Sequence, residues 1–311
     1  MLIAVFGTAA AQQSYPSKPI RLIIPYPPGG STDPVARLVG QKLTEIWGQQ
    51  VFVDSRPGGN TVIGTDALAK SAPDGYTLLL TTNAIVILPH LIASLPYDSV
   101  NDLAPVATLI GSEYVLALYP GVPANNLQEL IALAKSKPSE LNYASSGSGS
   151  LGHLAAELFN MMAGVKIQHI PYKGGGLSFV DLIGGQVQLA FNNPIIIIPH
   201  IKTGKLKAIA ISGEARSPLL PQVQTFAEAG LLGFSAKNWF GIIAPGATPK
   251  GIINKLSTEI GRILTMPELK EALAKQGMDP FVSTPEQFAA LMKADSARYG
   301  KVIRAANIKI E

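Results

Sequence analysis

The chain has 311 residues, of which 47% are hydrophobic and 15% are charged, and its formal net charge is +4. This composition favours a folded protein of about two domains with a large core, and it excludes an intrinsically disordered chain. The basic residues are scattered, so the charge does not favour a nucleic-acid partner, and the absence of cysteine excludes disulfides, thiol catalysis and thiolate metal sites.

The first residues indicate export. Residues 2–6 are apolar, and Ala9-Ala10-Ala11 before Gln12 fits the small-x-small pattern of a signal-peptidase site. A short buried strand is the alternative interpretation, since a basic segment ahead of the apolar run is missing. We predict that residues 1–11 are a signal-peptide remnant and that the protein is periplasmic. Later segments contain no uninterrupted apolar run of the length that a transmembrane helix needs.

Strands and helices alternate along the rest of the chain. The predicted strands are Ile20–Pro25, Val51–Asp54, Tyr76–Leu80, Ala104–Leu118, Leu141–Ala144, Ile167–Ile170, Gln188–Phe191, Leu206–Ser212 and Trp239–Ala244. The predicted helices are Val35–Trp47, Thr61–Lys70, Leu127–Lys135, Leu151–Met162, Gly176–Gly184, Pro194–Lys202, Pro249–Leu264, Pro267–Gln276 and Pro285–Ala305. Alternation at this spacing predicts an α/β fold with parallel-rich sheets.

Two crossings divide this pattern. Prolines and a glycine interrupt it at Tyr119–Pro123, and a second crossing near Lys237–Phe240 returns the chain to the first unit. We predict two lobes, each a sheet flanked by helices, with a cleft between them. Lobe one contains residues 12–120 and 239–311, and lobe two contains residues 121–238. Ligands of open α/β sheets bind beyond the carboxyl ends of the strands, so the turns after the strands are the candidate binding segments.

A glycine-containing turn follows a strand in each lobe. The first, Pro25–Asp33, fits neither a dinucleotide fingerprint nor a P-loop, and Asp33 is predicted to cap a helix that begins with Pro34. The second, Ser145–Ser150, has four serines and two glycines. Free N–H groups and hydroxyls at a helix N-terminus form an anion seat without a fixed positive charge. A plain strand-to-helix connection is the alternative for each turn.

An enzyme is one alternative to a binding protein. His153 and Glu157 lie four residues apart, as two metal ligands would, but no third ligand is suggested, and an i,i+4 surface or capping pair is favoured. His169 ends a strand and is placed to reach the cleft rim. The serines of residues 147–152 lack the offsets of a nucleophile elbow. We expect no enzymatic activity, no metal and no cofactor. A hydrolase, and a sensor or scaffold protein that binds no solute, remain the alternative functions.

The motifs together resemble a known family. The chain contains, in order, "YPSKPIRLIIPYPPGGSTDPVAR", "VDSRPGGNTVIGTDALAKSAPDGYTLLL", "LNYASSGSGSLGHLAAELF", "HIPYKGGG", "DLIGGQVQLAF", "PHIKTGKLKAIAISG" and "WFGIIAPGATP". This ordered set, which runs from Tyr15 to about Pro285, closely resembles the Bug-type solute receptors of tripartite tricarboxylate transporters. The resemblance implies a two-lobed periplasmic-binding-protein fold, type II-like. It also implies a monomer that closes around a small carboxylate, a di- or tricarboxylate or an aromatic acid, and delivers it to a membrane permease.

The resemblance also implies a set of ligand-binding residues. On lobe one they are Tyr26, Pro28, Gly29, Ser31, Thr32, Asp33, Thr82 and Asn83. On lobe two they are Ser145, Ser146, Gly147, Ser148, Gly149, Ser150, Tyr172, Phe191, Asn192 and Asn193. The stretches 83–86 and 176–179 depart from the family pattern, so the identity of the ligand stays open.

Some of these positions have a structural alternative. A surface pair with Lys173 is the alternative for Tyr172, and a cap for the helix opened by Pro194 is the alternative for Asn192-Asn193. Arg56 would suit a carboxylate clamp, but its loop is explained as a turn before a helix, so a structural or rim role is favoured.

Overall fold

The computed structural model describes residues 15–275 and 277–309, so the predicted signal-peptide remnant lies outside the described residues. The strands are β1 (Ile20–Ile24), β2 (Val51–Ser55), β3 (Thr77–Thr82), β4 (Leu103–Glu113), β5 (Val115–Leu118), β6 (Asn142–Ser145), β7 (Gln168–Pro171), β8 (Leu189–Asn192), β9 (Lys207–Ile211), β10 (Lys237–Pro245) and β11 (Asp279–Pro280). The helices are α1 (Thr32–Trp47), α2 (Val62–Ala69), α3 (Ala84–Ile87), α4 (Leu127–Ser136), α5 (Leu151–Ala163), α6 (Gly175–Ile183), α7 (Pro194–Lys202), α8 (Lys250–Leu264), α9 (Pro267–Ala274) and α10 (Pro285–Ala305). No helix in this part of the chain has the length and apolar character needed to cross a bilayer.

The strands form two sheets, each flanked by helices. The first has the order β11-β4-β10-β3-β1-β2 and belongs to lobe one; the second has the order β7-β6-β8-β5-β9 and belongs to lobe two. Strand β1 pairs in parallel with β2 and β3, and β6 pairs in parallel with β7 and β8. Strands β10 and β5 run antiparallel to their neighbours. The two-lobed α/β architecture is confirmed, but the sheets are mixed because β10 and β5 each run antiparallel to both neighbouring strands.

The first crossing lies at Tyr114, which separates β4 from β5. The sequence predicts one strand over Ala104–Leu118 and a crossing at Tyr119–Pro123. The structure corrects both, because β4 pairs with β10 in the first sheet while β5 pairs with β8 and β9 in the second. The return crossing precedes Lys237, where β10 begins opposite Glu113. We therefore propose Tyr114, in place of residue 120, as the first boundary between the lobes.

Each lobe buries an apolar core against its own sheet. In lobe one, α8 presents Ile253, Leu256, Ile260 and Ile263 to the sheet. This spacing gives one apolar helical stripe, which explains why the helix packs on that face. In lobe two, the sheet packs against α4 and α5. Because the cores hold the strands rigid, the turns at the strand ends have fixed positions.

A buried polar network joins α10 to β10 beside the return crossing. The Asp295 Oδ2 atom accepts hydrogen bonds from Trp239 Nε1 at 2.8 Å and from Asn83 Nδ2 at 3.3 Å. Its Oδ1 atom accepts a hydrogen bond from Arg298 at 3.0 Å. The Asn83 Oδ1 atom accepts the Trp239 backbone N–H at 3.1 Å. The last helix is therefore tied to the segment through which the chain re-enters lobe one.

We expect Asp295→Ala to lower the free energy of unfolding by about 2–4 kcal/mol, because the buried donors of Trp239 and Asn83 lose their shared acceptor. Chemical denaturation followed by tryptophan fluorescence measures this change. Asp33→Ala is the matched control, since the Asp33 partner Arg37 is exposed and a surface pair adds little. An equal effect of the two substitutions would argue against the network.

Candidate functional site

A cavity of about 750 Å³, including its open mouth, lies between the two lobes. We call it the inner cavity. Its wall is formed by the turns after β1 and β3 in lobe one and after β6 and β8 in lobe two, as expected for the carboxyl ends of strands. The predicted site residues on this wall are Tyr26, Ser31, Thr32, Thr82, Ser146, Gly147, Ser148, Gly149, Ser150 and Asn192.

The wall also contains residues that the sequence analysis did not identify. Asn60 and Thr61 both have positive φ angles, 52° and 80°, and precede α2. The feature of the sequence that could have identified them is the preceding pair Gly58-Gly59, which was interpreted only as part of a turn. Tyr114 and Asn238 come from the two crossings, where no local motif marks them. Gly175 begins α6 on the lobe-two side.

Charged side chains are missing from the wall of the inner cavity as far as the described residues form it: none of them is Lys, Arg, His, Asp or Glu. The polar groups are hydroxyls, amides and backbone N–H groups. An anion inside this cavity would therefore be held by dipoles and hydrogen bonds rather than by a formal cation.

Helices from both lobes begin at this wall. Helix α1 starts after Ser31 in lobe one and α6 starts after Gly174 in lobe two, and neither N-terminus has a side-chain cap. The first N–H groups of a helix have no partner within the helix, so these two ends offer free donors. In contrast, α5 is capped by Ser150, whose Oγ atom accepts the His153 N–H, and α7 is capped by Asn193.

The polar side chains of the wall are oriented by their neighbours. The hydroxyls of Tyr26 and Thr82 are hydrogen-bonded at 2.6 Å. Burial raises the pKa of Tyr26 to about 12, so its hydroxyl is neutral. The Asn192 Oδ1 atom accepts the N–H of Asn193 at 2.8 Å, which leaves the Asn192 amide nitrogen to donate into the cavity. These groups are suited to donating hydrogen bonds to a carboxylate.

The structure places two predicted site residues behind the cavity wall. Asn83 is fully buried, and its amide faces Asp295 and Tyr299. Phe191 is buried in an aromatic cluster, with its ring centroid 5.8 Å from that of Phe226 and 5.7 Å from that of Phe234. Strand side chains alternate between faces, and the Phe191 side chain of β8 faces the core of lobe two, whereas Asn83, just after β3, faces the buried network around Asp295. Neither is placed to contact a ligand.

Two further predicted residues support the wall from beneath. Asn193 is buried; its Oδ1 atom accepts the Ile195 N–H at 3.1 Å and its Nδ2 atom donates to Ser112 Oγ at 2.8 Å. The capping alternative is therefore the one seen for Asn193. Ser145 is also buried, and its hydroxyl bonds to the backbone of Gly147.

The turn Pro25–Asp33 differs from its prediction at the helix start. Helix α1 begins at Thr32 and Ser31 precedes it, so Asp33 is not the N-cap. Its carboxylate instead pairs with Arg37 at 3.1 Å, one turn further along the helix. Pro28 and Gly29 lie where the turn meets lobe two, since a Cβ atom on Gly176 would be 3.7 Å from the Gly29 oxygen.

A second cavity, of about 1090 Å³, shares Tyr26, Asn60 and Ser146 with the inner one and extends to Tyr172 and Lys173. We call it the outer cavity. Lys173 is its single charged wall residue within the described part of the chain. The Tyr172 hydroxyl donates to Asp181 at 2.6 Å, so this ring is fixed at the rim of lobe two.

Arg56 is paired within lobe one. Its Nε atom lies 3.0 Å from Asp54 Oδ2, and Arg21 bonds to the same oxygen atom. The two guanidinium groups lower the pKa of Asp54 against the opposing effect of burial, which is the largest single influence on it. The favoured structural role of Arg56 agrees with this geometry.

The two lobes touch each other around the inner cavity. A Cβ atom on Gly174 would lie 2.5 Å from the Pro27 Cγ atom, and one on Gly147 would lie 2.9 Å from the Asn60 Oδ1 atom. Both pairs join lobe two to lobe one. The structure is therefore a closed form, in which glycines permit the close approach.

His153 and Glu157 do not form the predicted surface or capping pair. His153 is buried and its Nδ1 atom accepts the Gly149 N–H at 3.0 Å, while Glu157 accepts a hydrogen bond from Tyr143 at 2.5 Å. Within the described residues, no group of three or more His, Cys, Asp or Glu side chains is arranged to hold a metal ion.

Comparisons with known proteins agree with this geometry. Residues 35–308 match the model of the tripartite tricarboxylate transporter family receptor. The chain is 40% identical to protein BugT of Bordetella pertussis, over 100% of this chain and 97% of that protein. Its fold is similar to R. palustris Rpa4515 with adipate (TM-score 0.92, 33% identity, 95% of this chain and 99% of that one). It is also similar to MatC of Rhodopseudomonas palustris with bound malate (TM-score 0.85, 29% identity, 93% of this chain and 100% of that one).

Proposed function

The chain belongs to the tripartite tricarboxylate transporter receptor family, and from its cleft we propose that it captures a small carboxylate between its lobes and delivers it to a membrane permease. We propose further that it works in the periplasm as a monomer, after removal of residues 1–11. The observation that carries the choice of ligand is the uncharged inner cavity, at which an uncapped helix begins in each lobe.

The carboxylate is held by donors that belong to the backbone and to short side chains. Helix N-termini carry a partial positive charge and free N–H groups, both of which favour an anion. The N–H groups at the start of α1 act from one lobe and those at the start of α6 act from the other. The hydroxyls of Ser146, Ser148 and Thr82 complete the set.

A dicarboxylate that spans the inner and outer cavities, which share wall residues, is the ligand we propose. Two structures of similar fold contain adipate and malate, which are both dicarboxylates. In our proposal one carboxylate occupies the inner cavity and the carbon chain points toward the outer cavity, where Lys173 is placed for the second carboxylate. The rings of Tyr26 and Tyr172 would also accommodate an aromatic acid.

The mechanism is a population shift without chemistry. The ligand contacts both lobes only in the closed form, so its binding energy favours closure. The closed pair of lobes is the form that the permease would recognise. A hydrolase is not favoured, because none of the inner-cavity residues that the structure describes is a histidine or a carboxylate that could act as a base. Turnover of chromogenic esters would contradict this.

We expect a matching dicarboxylate at 100 times its Kd to stabilise the protein by about 2.7 kcal/mol. For a chain of this length that corresponds to a rise in Tm of about 4 °C. A thermal-shift screen of aliphatic dicarboxylates of four to eight carbons, with malate and adipate included, measures the rise. The matching amides, which lack the charge, are the control. A shift with the amides but not with the acids would reject the proposed anion seat.

A further inference from the structure

The segment Ser145–Ser150, which we call the serine turn, rests on two stacked histidine rings. The ring centroids of His153, on α5, and His169, on β7, are 3.9 Å apart with an angle of 11° between the ring planes. The Tyr143 ring stacks on His169 at 4.9 Å. His153 is 5% exposed. None of the three lines the inner cavity, so the mechanism proposed above does not use them.

Each histidine bonds to a different part of the serine turn. His153 Nδ1 accepts the backbone N–H of Gly149 at 3.0 Å, which requires that this nitrogen carry no proton. His169 Nε2 lies 2.7 Å from the Ser145 hydroxyl. That hydroxyl donates to the Gly147 carbonyl at 3.0 Å and accepts the Gly147 N–H at 3.2 Å. The hydroxyl uses its one proton and both lone pairs if His169 donates to it from Nε2.

These contacts hold the two glycines of the serine turn. Gly147 and Gly149 have φ angles of 137° and 81°, and glycine occupies such angles about as readily as negative ones. Glycine alone would therefore leave the turn with several conformations. The bonds from Ser145 and His153 fix one of them, in which the turn forms part of the cavity wall.

We infer that His153 and His169 are positioning residues that hold the serine turn in its ligand-binding shape, and that they do so as neutral rings. A proton on His153 Nδ1 would face the Gly149 N–H, donor against donor, and release the turn. The effect on the ligand would be indirect, through the backbone of Gly147 and Gly149.

The surroundings of the pair favour the neutral form. Burial lowers the pKa of His153 to about 4, and burial together with the neighbouring His153 lowers that of His169 to about 3. Among the described residues, Tyr143 on β6 is the ionisable side chain whose ring stacks on both histidines, and Glu157 on α5 lies beside its hydroxyl. The carboxylate of Glu157 is occupied by the Tyr143 hydroxyl.

The sign of the pH dependence follows from these directions. Both pKa values are lower in the folded than in the unfolded chain, so the unfolded chain binds more protons as the pH falls below about 6.5. The folded state should therefore lose stability between about pH 6.5 and pH 3, and keep the full contribution of the pair above that window. His153→Asn should weaken this dependence, because asparagine does not titrate.

Four variants test the positioning role with adipate and malate as probes. His153→Leu and His169→Leu remove the bonds but keep apolar bulk, and we expect each to weaken binding at least about tenfold. His153→Asn keeps an acceptor near the Nδ1 position and His169→Gln keeps a donor near the Nε2 position. These two should bind within about threefold of the wild type. If Leu and Asn at position 153 reduce affinity equally while their Tm values agree, the pair has only a packing role and the inference is wrong.

Two measurements without ligand test the roles of the two histidines independently of the proposed function. Nitrogen-15 NMR of the imidazole rings should show His153 neutral at pH 5, with its proton on Nε2. Hydrogen exchange at the Gly149 amide should accelerate in His153→Leu and stay slow in His153→Asn. A charged His153 at pH 5, or equal exchange in both variants, would overturn the inference. A wild-type protein that binds neither acid would count against the proposed ligand class alone.

Discussion

Gly147→Val should reduce the affinity for a dicarboxylate at least about 100-fold, or about 2.8 kcal/mol of binding free energy. Gly147 has a φ angle of 137°, which residues with a side chain rarely adopt. A Cβ atom there would lie 2.9 Å from Asn60 Oδ1 and 3.4 Å from the backbone carbonyl oxygen of Tyr172. The branched side chain would distort the serine turn, press on the opposite lobe and enter the inner cavity. Isothermal titration calorimetry measures the loss.

Gly164→Val separates backbone strain from the effect on the site. Gly164 ends α5, the helix that the serine turn begins, and also has a positive φ angle, 61°, but a Cβ atom there would meet nothing within 4 Å. We expect this control to lose stability and keep affinity.

Arg56→Ala distinguishes a neutral seat from a cationic clamp. The Arg56 guanidinium is paired with Asp54 of lobe one. As far as the described residues form them, the walls of the inner and outer cavities do not include Arg56. We expect Arg56→Ala to bind normally and Lys173→Ala to lose less than Gly147→Val, because Lys173 lies only in the outer cavity. If Arg56→Ala abolishes binding while Gly147→Val binds normally, the proposed anion seat is wrong.

The sequence predicts the parts of this site that depend on local pattern. The serine turn and the start of α5 at Leu151 follow from a strand, a run of serine and glycine, and an apolar helical pattern, and Ser150 is the N-cap. The same local reasoning missed Asn60, whose role depends on which segment of the other lobe faces it. Tyr114 and Asn238 were missed for a related reason, since crossings become visible only when strands are paired into sheets.

The burial of three predicted site residues has a different physical cause. Asn83, Phe191 and Asn193 were included on the family resemblance, and they lie at a strand end or in the turn after it, where neighbouring side chains point alternately toward the cavity and toward the core. Asn192 faces the cavity, whereas Asn193 caps α7 and bonds to Ser112. Which of two adjacent side chains points into the cavity depends on the folded structure around them, and the sequence alone does not show it.

Gly176→Leu should hold the two lobes apart and weaken ligand binding at least about tenfold, because affinity falls with the fraction of molecules that can close. Gly176 lies in the first turn of α6, and a Cβ atom there would be 3.7 Å from the Gly29 oxygen of lobe one, which is an ordinary contact. Gly176→Ala should therefore close normally. The longer leucine side chain would extend into the Pro25–Asp33 turn.

An effect of Gly176→Leu on lobe closure can be distinguished from a folding defect by measurement. Replacing a helical glycine favours the helix by up to about 1 kcal/mol, so the Tm of Gly176→Leu without ligand should be equal to or above that of the wild type. Gly251→Leu is the matched control, since Gly251 lies on α8 with nothing within 4 Å of a Cβ atom. Small-angle X-ray scattering should show a smaller radius of gyration with ligand in the wild type, Gly176→Ala and Gly251→Leu, and no decrease in Gly176→Leu. If Gly176→Leu shrinks on ligand addition and binds as tightly as the wild type, the contact between Gly176 and Gly29 does not limit closure, and binding does not require the lobes to meet there.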